Sequence, residues 1–218
     1  MEITKEQIQR VEHYLNVKNI VYKDIRMEVF DHIISDIEAK MEDENLDFKT
    51  IFYSVTDKWN KHLKDTTSFY FGIGYSAPKI VIEKAKKTFK KWFFLLPLVF
   101  LTTDLLIQNN NIVFSETIIN GLNLFFQLTS ILIFVSFVGL MIFKSINKDK
   151  TTYSFILKTQ SLGVLIGAFC LVDFDYFKND GTLDGFQVGL LLGFILMTYC
   201  YYIFYRKHKE AIKKYKIS

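Results

Sequence analysis

Four long apolar stretches fill the chain after residue 91, and they constrain its fold more than any other feature. They span residues 92–107, 118–143, 153–172 and 186–205. A helix needs roughly 20 apolar residues to cross the ~30 Å hydrocarbon core of a bilayer, and the last three stretches meet that length. The first is shorter, but the lysine-rich segment ahead of it can extend its helix. The remaining polar chain is too short to cover four such helices in water, so the sequence predicts four transmembrane spans.

Basic residues are distributed unevenly around these spans. Residues 84–91 hold five lysines, residues 144–150 hold three, and residues 206–216 hold six Lys or Arg. The loops at 108–117 and 173–184 together hold one lysine. Because cytoplasmic loops are enriched in Lys and Arg, the pattern places both termini and the middle loop in the cytoplasm. The net charge of +4 is therefore local to the spans, and direct nucleic-acid binding is not expected.

The segment ahead of the spans predicts three amphipathic helices. Thr4 and Gln7 form a capping box that opens a helix to about Val17. A second helix is predicted over residues 22–42, and Asp47 is a good N-cap for a third. Three such helices can close a small core together.

The complete prediction is an all-α protein in which a three-helix cytoplasmic domain precedes a four-helix transmembrane bundle, with both termini inside. Ser76, ahead of Ala77 and Pro78, predicts the start of a helix that runs into the first span and couples it to the domain. The predicted parts are a cytoplasmic helical domain at 1–75, a basic linker helix at 76–91, a transmembrane domain at 92–205 and a basic cytoplasmic tail at 206–218.

Two motifs carry a resemblance to a known family. The stretch "EVFDHIISDIEAKM" (residues 28–41) contains E-x-x-D-H-I followed by I-E-x-K-M, and "FGIGYSAPKIVIEK" (residues 71–84) follows it. With these motifs, residues 22–90 resemble the cytoplasmic helical domain of HAAS-type and permease-prefix membrane proteins. They are most similar to uncharacterised flavobacterial membrane proteins with a DHIxxxIE helix, which have Phe where Tyr75 stands here and lack the Ala-Pro pair. The resemblance implies a signalling role beside a transcription regulator, and no chemistry.

Five polar residues crowd one side of the second predicted helix, and they are Glu28, Asp31, His32, Asp36 and Glu38. Glu28, His32 and Asp36 are spaced four apart and share a face. A metal site would need further ligands, which the neighbouring helices do not offer at a matching spacing. A solvated, salt-bridged face and a recognition surface for a protein are the two other interpretations. We predict a partner-binding face without metal.

The chain contains no nucleophile elbow, phosphate loop or zinc-protease helix, so neither catalysis nor a cofactor is expected. Inside the membrane, Asp104 lies near the outer end of the first span, where Asn120 and Asn123 could donate hydrogen bonds to it. Lys158 lies about 8 Å into the third span and can snorkel to the surface. These groups are too sparse for a typical ion pathway.

Small residues recur in the last two spans. Gly163 and Gly167 lie in the third span, and Gly185, Gly189 and Gly193 lie in and just before the fourth. Such spacing lets helix backbones approach closely, either within the chain or in a homo-oligomer. Cys170 and Cys200 fall near opposite membrane surfaces and should stay unpaired.

The leading hypothesis is a non-enzymatic, membrane-anchored signalling or interaction module, whose partners are the bilayer and a protein such as a transcription regulator or a membrane complex. The alternative is a small transport or membrane-enzyme accessory subunit that works through Asp104 and Lys158.

Overall fold

The computed structural model describes residues 3–43, 46–110, 112–172 and 175–215, which are mostly helical. The predicted all-α class is confirmed, with one small pair of strands added. The elements are α1 (Lys5–Val17), α2 (Lys23–Asp43), α3 (Phe48–Leu63), β1 (Asp65–Ser68), β2 (Gly72–Pro78), α4 (Lys79–Asn109), α5 (Glu116–Ile146), α6 (Thr152–Thr159), α7 (Gly163–Val172) and α8 (Gly185–Lys214).

The chain forms two compact units. The first contains Met1–Thr88, Asp149–Ile156 and Lys207–Ser218, and the second contains Phe89–Lys148 and Leu157–Arg206. Two short segments from the second half of the sequence therefore complete the unit built by the first half.

The first unit is built on α1, α2 and α3. The predicted capping box is present, since Thr4 Oγ1 accepts from the Gln7 N–H at 3.3 Å and Gln7 Oε1 accepts from the Thr4 N–H at 2.9 Å. Asp47 caps α3, as predicted. Fully buried aliphatic side chains from all three helices form the core, and they include Val11, Leu15, Ile25, Val29, Ile33, Ile37, Ile51 and Val55.

A β-hairpin follows α3, and the predicted helix start at Ser76 is wrong. Strands β1 and β2 pair antiparallel, with Thr66 opposite Ala77 and Asp65 opposite Pro78. Residues Ser76–Pro78 thus belong to the ladder, and α4 begins only at Lys79. Pro78 lies at the end of a two-stranded hairpin, where a missing N–H is tolerated.

The second unit contains long apolar helices. Phe137 on α5 packs against Phe194 and Tyr201 on α8, with ring centroids 5.4 and 5.1 Å apart, and all three side chains are buried. The third predicted span corresponds to α6 and α7, which a 3₁₀ turn at Gln160–Leu162 separates. The loop before α5 and the loop before α8 lie together, with the Phe114 N–H donating to the Gly181 carbonyl at 3.0 Å.

Candidate interaction surface

The acidic side of α2 is divided among different environments. Asp31 and His32 are exposed, whereas Asp36 and Glu38 are half-buried. Glu28 is exposed but forms an ion pair with Lys84, Nζ to Oε2 2.6 Å. The five predicted residues therefore differ in exposure and in their ion-pair partners.

Aromatic rings extend this face onto α3. The imidazole of His32 stacks on the indole of Trp59, with centroids 6.2 Å apart and planes at 25°. His62 meets the same indole edge-on at 5.9 Å. We call Asp31, His32, Trp59 and His62 the histidine–tryptophan face.

Trp59 was not among the residues that the sequence predicted for this face. It is half-buried, and its indole N–H is buried without a hydrogen-bond partner among the described residues. The sequence held one signal for Trp59. It lies three residues from His62, so the two side chains share a face of α3, the helix that packs against α2.

The flanks of the face join α2 to α3 through polar contacts. Lys58 pairs with Asp36 at 3.5 Å, and Lys40 donates to Ser54 Oγ at 2.9 Å. Exposed pairs of this kind contribute only about 0–1 kcal/mol, so they orient the helices more than they stabilise them. Among the described residues, no group of three His, Cys, Asp or Glu side chains is placed to hold a metal ion.

Tyr14 on α1 joins α1 to α3 through its hydroxyl group. Its hydroxyl donates to the Thr56 carbonyl and to Asn60 Oδ1, both at 3.1 Å. Burial, with a smaller contribution from the nearby Asp57 carboxylate, raises the pKa of Tyr14 to about 12. The phenol therefore stays protonated and keeps donating at neutral pH.

A second polar cluster, absent from the sequence analysis, surrounds Asp24. This carboxylate is only 3% exposed, and its Oδ1 accepts from the Thr152 N–H at 2.9 Å. Its Oδ2 lies 3.7 Å from Lys84 Nζ, the same ammonium that pairs with Glu28. The four-residue spacing of Asp24 and Glu28 was the only local signal, and nothing in the sequence pointed to Thr152.

The N-terminus of α6 is fixed by further hydrogen bonds beside Asp24. Thr151 and Ser154 exchange side-chain and backbone hydrogen bonds, at 2.9 Å from the Thr151 N–H and at 3.2 Å from the Ser154 N–H. Thr151 Oγ1 also lies 2.8 Å from Nδ1 of His208, and both residues are fully buried. Residues 149–156 and the end of α8 are thereby attached to the first unit.

A cavity of about 300 Å³ opens beside this cluster. Three lysines and two carboxylates line it, which gives a nearly balanced charge. Such a site does not select strongly for an anion or a cation. The charged lining residues are Asp24, Lys84, Lys207, Glu210 and Lys214.

The polar residues singled out in the spans lie in different local environments. Asp104 is half-buried and accepts from Gln108 Nε2 at 2.7 Å. The expectation that Asn123 would bond to Asp104 is wrong, because Asn123 instead donates to Asp175 at 3.2 Å and accepts from the Tyr176 N–H at 2.9 Å. Lys158 is exposed on α6.

Four of the five glycines lie where a side chain would collide with a neighbouring helix. A methyl group at Gly167 would lie 2.8 Å from a Phe134 ring carbon, and one at Gly163 would meet Met197 of α8. Gly185 and Gly189 face α4, where methyl groups would lie 2.9 and 3.0 Å from the carbonyls of Asp104 and Phe100. Gly193 has nothing within 4 Å. The other four glycines allow close packing of helices within the chain.

The long apolar helices define the class of protein. Four helical segments have the length and hydropathy of membrane spans, and they are Lys79–Asn109, Glu116–Ile146, Thr152–Val172 and Gly185–Lys214. The chain is a multi-pass helical membrane protein with a small helical domain. Comparisons with protein-family models, curated proteins and solved structures found no match to it. The relation to HAAS-type proteins therefore stays a prediction.

Proposed function

We propose that this protein is a non-enzymatic, membrane-anchored interaction module in signalling, and that the histidine–tryptophan face recruits a cytosolic protein. One observation carries the proposal: exposed Asp31 and His32 lie beside a half-buried Trp59 on which the imidazole is stacked. Tryptophan is enriched at the centres of protein interfaces, and flanking charges steer and orient the encounter.

The unsatisfied indole N–H adds a reason for a partner. Buried donors usually find an acceptor, and leaving one unpaired costs about 1–3 kcal/mol. A carbonyl or carboxylate of a bound protein would give Trp59 Nε1 the acceptor that it lacks among the described residues. The face then offers one aromatic anchor, one donor and one acidic group within two adjacent helices.

The proposed orientation places both termini on the cytoplasmic side of a bacterial inner membrane. The lysine distribution supports it, and so does the contact between the two lysine-poor loops through Phe114 and Gly181. Parts of all three basic clusters, at 84–88, 149–150 and 207–215, share one compact unit, as expected if these parts lie on one side of the membrane. Reporter fusions after Ser115 and after Asp180 should both report the periplasm, and a cytoplasmic signal from either contradicts this orientation.

Affinity purification of the full chain from native membranes tests the proposed function. Asp31→Asn combined with His32→Gln should remove a protein that copurifies with the wild type. The matched control is Glu12→Gln with His13→Gln, because these residues form an equivalent exposed acid–histidine pair on α1. The control and Asp104→Asn should both retain the partner.

Two results oppose the proposal. Retention of every copurifying protein by the Asp31–His32 double variant would remove the role assigned to the face. Loss of a membrane complex in Asp104→Asn, with the double variant unaffected, would instead identify an accessory subunit. A circular-dichroism melt of each variant shows that the domain is still folded.

A further inference from the structure

The tip of the β-hairpin carries two largely exposed apolar side chains. Phe69 is 83% exposed and Ile73 is 88% exposed, the largest exposed fractions among the large apolar side chains that the structure describes. The two residues are four positions apart in this tip, and contiguous exposed apolar patches mark protein or membrane interaction sites.

The tip is held in a defined orientation by its neighbours. Residues Phe69–Phe71 form a 3₁₀ turn, and Gly72 follows with φ +81°, a conformation that glycine adopts without strain. Within the turn, Phe71 is buried against Phe155 with centroids 5.1 Å apart. The ring of Tyr70 lies under the Lys86 ammonium at 4.9 Å. With these two residues docked on the domain, Phe69 and Ile73 remain on the outer side.

The contact with Lys86 relates this tip to the start of the first span. Lys86 lies on α4, six residues ahead of Trp92, where the apolar stretch begins. At 1.5 Å per residue this separation is about 9 Å along the helix, and the headgroup layer on each side of a bilayer is about 5–8 Å thick, so Lys86 lies near the outer edge of that layer. Lys84, Lys87, Lys90 and Lys91 share this helical segment, and such lysine clusters are attracted to anionic lipid headgroups.

We propose that the hairpin tip is an interfacial anchor that inserts Phe69 and Ile73 into the boundary between headgroups and acyl chains. Aromatic and aliphatic side chains bind this layer when basic residues flank them, and tyrosines such as Tyr70 and Tyr75 are favoured there. The bilayer is the occupant because the tip joins a helix that itself enters the membrane, with lysines of the right sign beside it. The anchor is separate from the partner-binding role of the histidine–tryptophan face.

Fluorescence of the full chain in lipid vesicles tests the anchor. An environment-sensitive probe is attached at Ile73→Cys in vesicles of phosphatidylethanolamine and phosphatidylglycerol, with spin-labelled lipids as quenchers. The matched control is Val17→Cys, an apolar residue that is 67% exposed at the end of α1. The native cysteines, Cys170 and Cys200, are free but buried, and unmodified wild type measures any labelling of them.

The anchor predicts a blue-shifted probe at residue 73 that is quenched more strongly by a shallow spin label than by a deep one. The control probe should be solvent-like and unquenched. A probe at residue 73 that behaves like the control would overturn the proposal. Protection of residue 73 in native membranes without lipid quenching in vesicles would also overturn it, and would assign the tip to a protein partner.

Discussion

Oδ1 of Asp24 accepts a hydrogen bond of 2.9 Å from the backbone N–H of Thr152, although 128 positions separate the two residues. Asp24 lies in the first turn of α2, and Thr152 is the first residue of α6. A buried carboxylate from the N-terminal domain thus satisfies one of the orphan donors at the start of the third span. The same carboxylate lies near Lys84, which belongs to the part of α4 that precedes the first apolar stretch.

Replacing Asp24 with alanine should loosen the start of α6. The Thr152 N–H would lose its acceptor in a buried site, which costs about 1–3 kcal/mol. Amide hydrogen exchange of the full chain should show faster exchange in the first turn of α6. Asp24→Asn keeps an acceptor oxygen and should have a smaller effect, whereas equal exchange in all three proteins would remove the role assigned to this hydrogen bond.

Truncating Ile33 to alanine should unfold the first domain. Ile33 is fully buried, and such a truncation costs about 2–5 kcal/mol, most of what a core this small supplies. Limited proteolysis and far-UV circular dichroism of the full chain measure the loss. Ile73→Ala, the same chemical change at an 88% exposed position, is the control and should leave the domain intact.

The Asp31→Asn, His32→Gln double variant should also stay folded, because both side chains are exposed. An unfolded double variant would contradict the assignment of these two residues to the surface.

The sequence predicted the local elements well because each has a local cause. The capping box at Thr4, the N-cap at Asp47 and the length of the apolar stretches are all contained within a few turns of helix. The hairpin was missed because "DTTS" and "GIGYSAP" show neither alternating hydrophobicity nor β-branched enrichment across both strands.

The Asp24 cluster could not have been predicted from the same patterns. Its partners come from α2, α4 and α6, so its geometry depends on how segments far apart in the sequence assemble. For the same reason Glu28, which shares a helical face with His32, pairs with Lys84 rather than joining the histidine–tryptophan face. Helical spacing defines which residues share a face but not which partner each finds.

Adding a methyl group at Gly167 should destabilise the transmembrane unit. The new carbon would collide with the ring of Phe194 and lie 2.8 Å from a ring carbon of Phe134. Buried aromatic rings cannot move aside as easily as the end of a flexible side chain. Gly163→Ala should be milder, because the neighbour there is the flexible end of Met197. Gly193→Ala is the matched control, since its methyl group meets nothing within 4 Å. Thermal unfolding in detergent should rank the three in that order, and equal midpoints would contradict the packing described.

The cap of α3 should weaken in acid. The Thr50 side-chain hydrogen bond lowers the pKa of Asp47 below its ordinary value of 3.8. A depressed folded-state pKa means that the stabilisation is present above the unfolded-state pKa and is lost as the pH falls through the folded-state pKa. Asp47→Asn caps without a charge, so its helix content should vary less with pH in this range. Identical acid titrations followed by circular dichroism would show that the cap carries no charge dependence.

Site-directed photocrosslinking in intact cells tests whether the histidine–tryptophan face binds a protein partner. A photoreactive residue replaces Ser35, an exposed position between Asp31 and Glu38 on α2, or Asn16, an exposed position on α1. We expect a discrete protein adduct from position 35, no adduct from position 16, and loss of the first adduct when Asp31→Asn and His32→Gln are added. Absence of a protein adduct at position 35, or an adduct that persists unchanged in the double variant, would contradict the claim that this face recruits a partner.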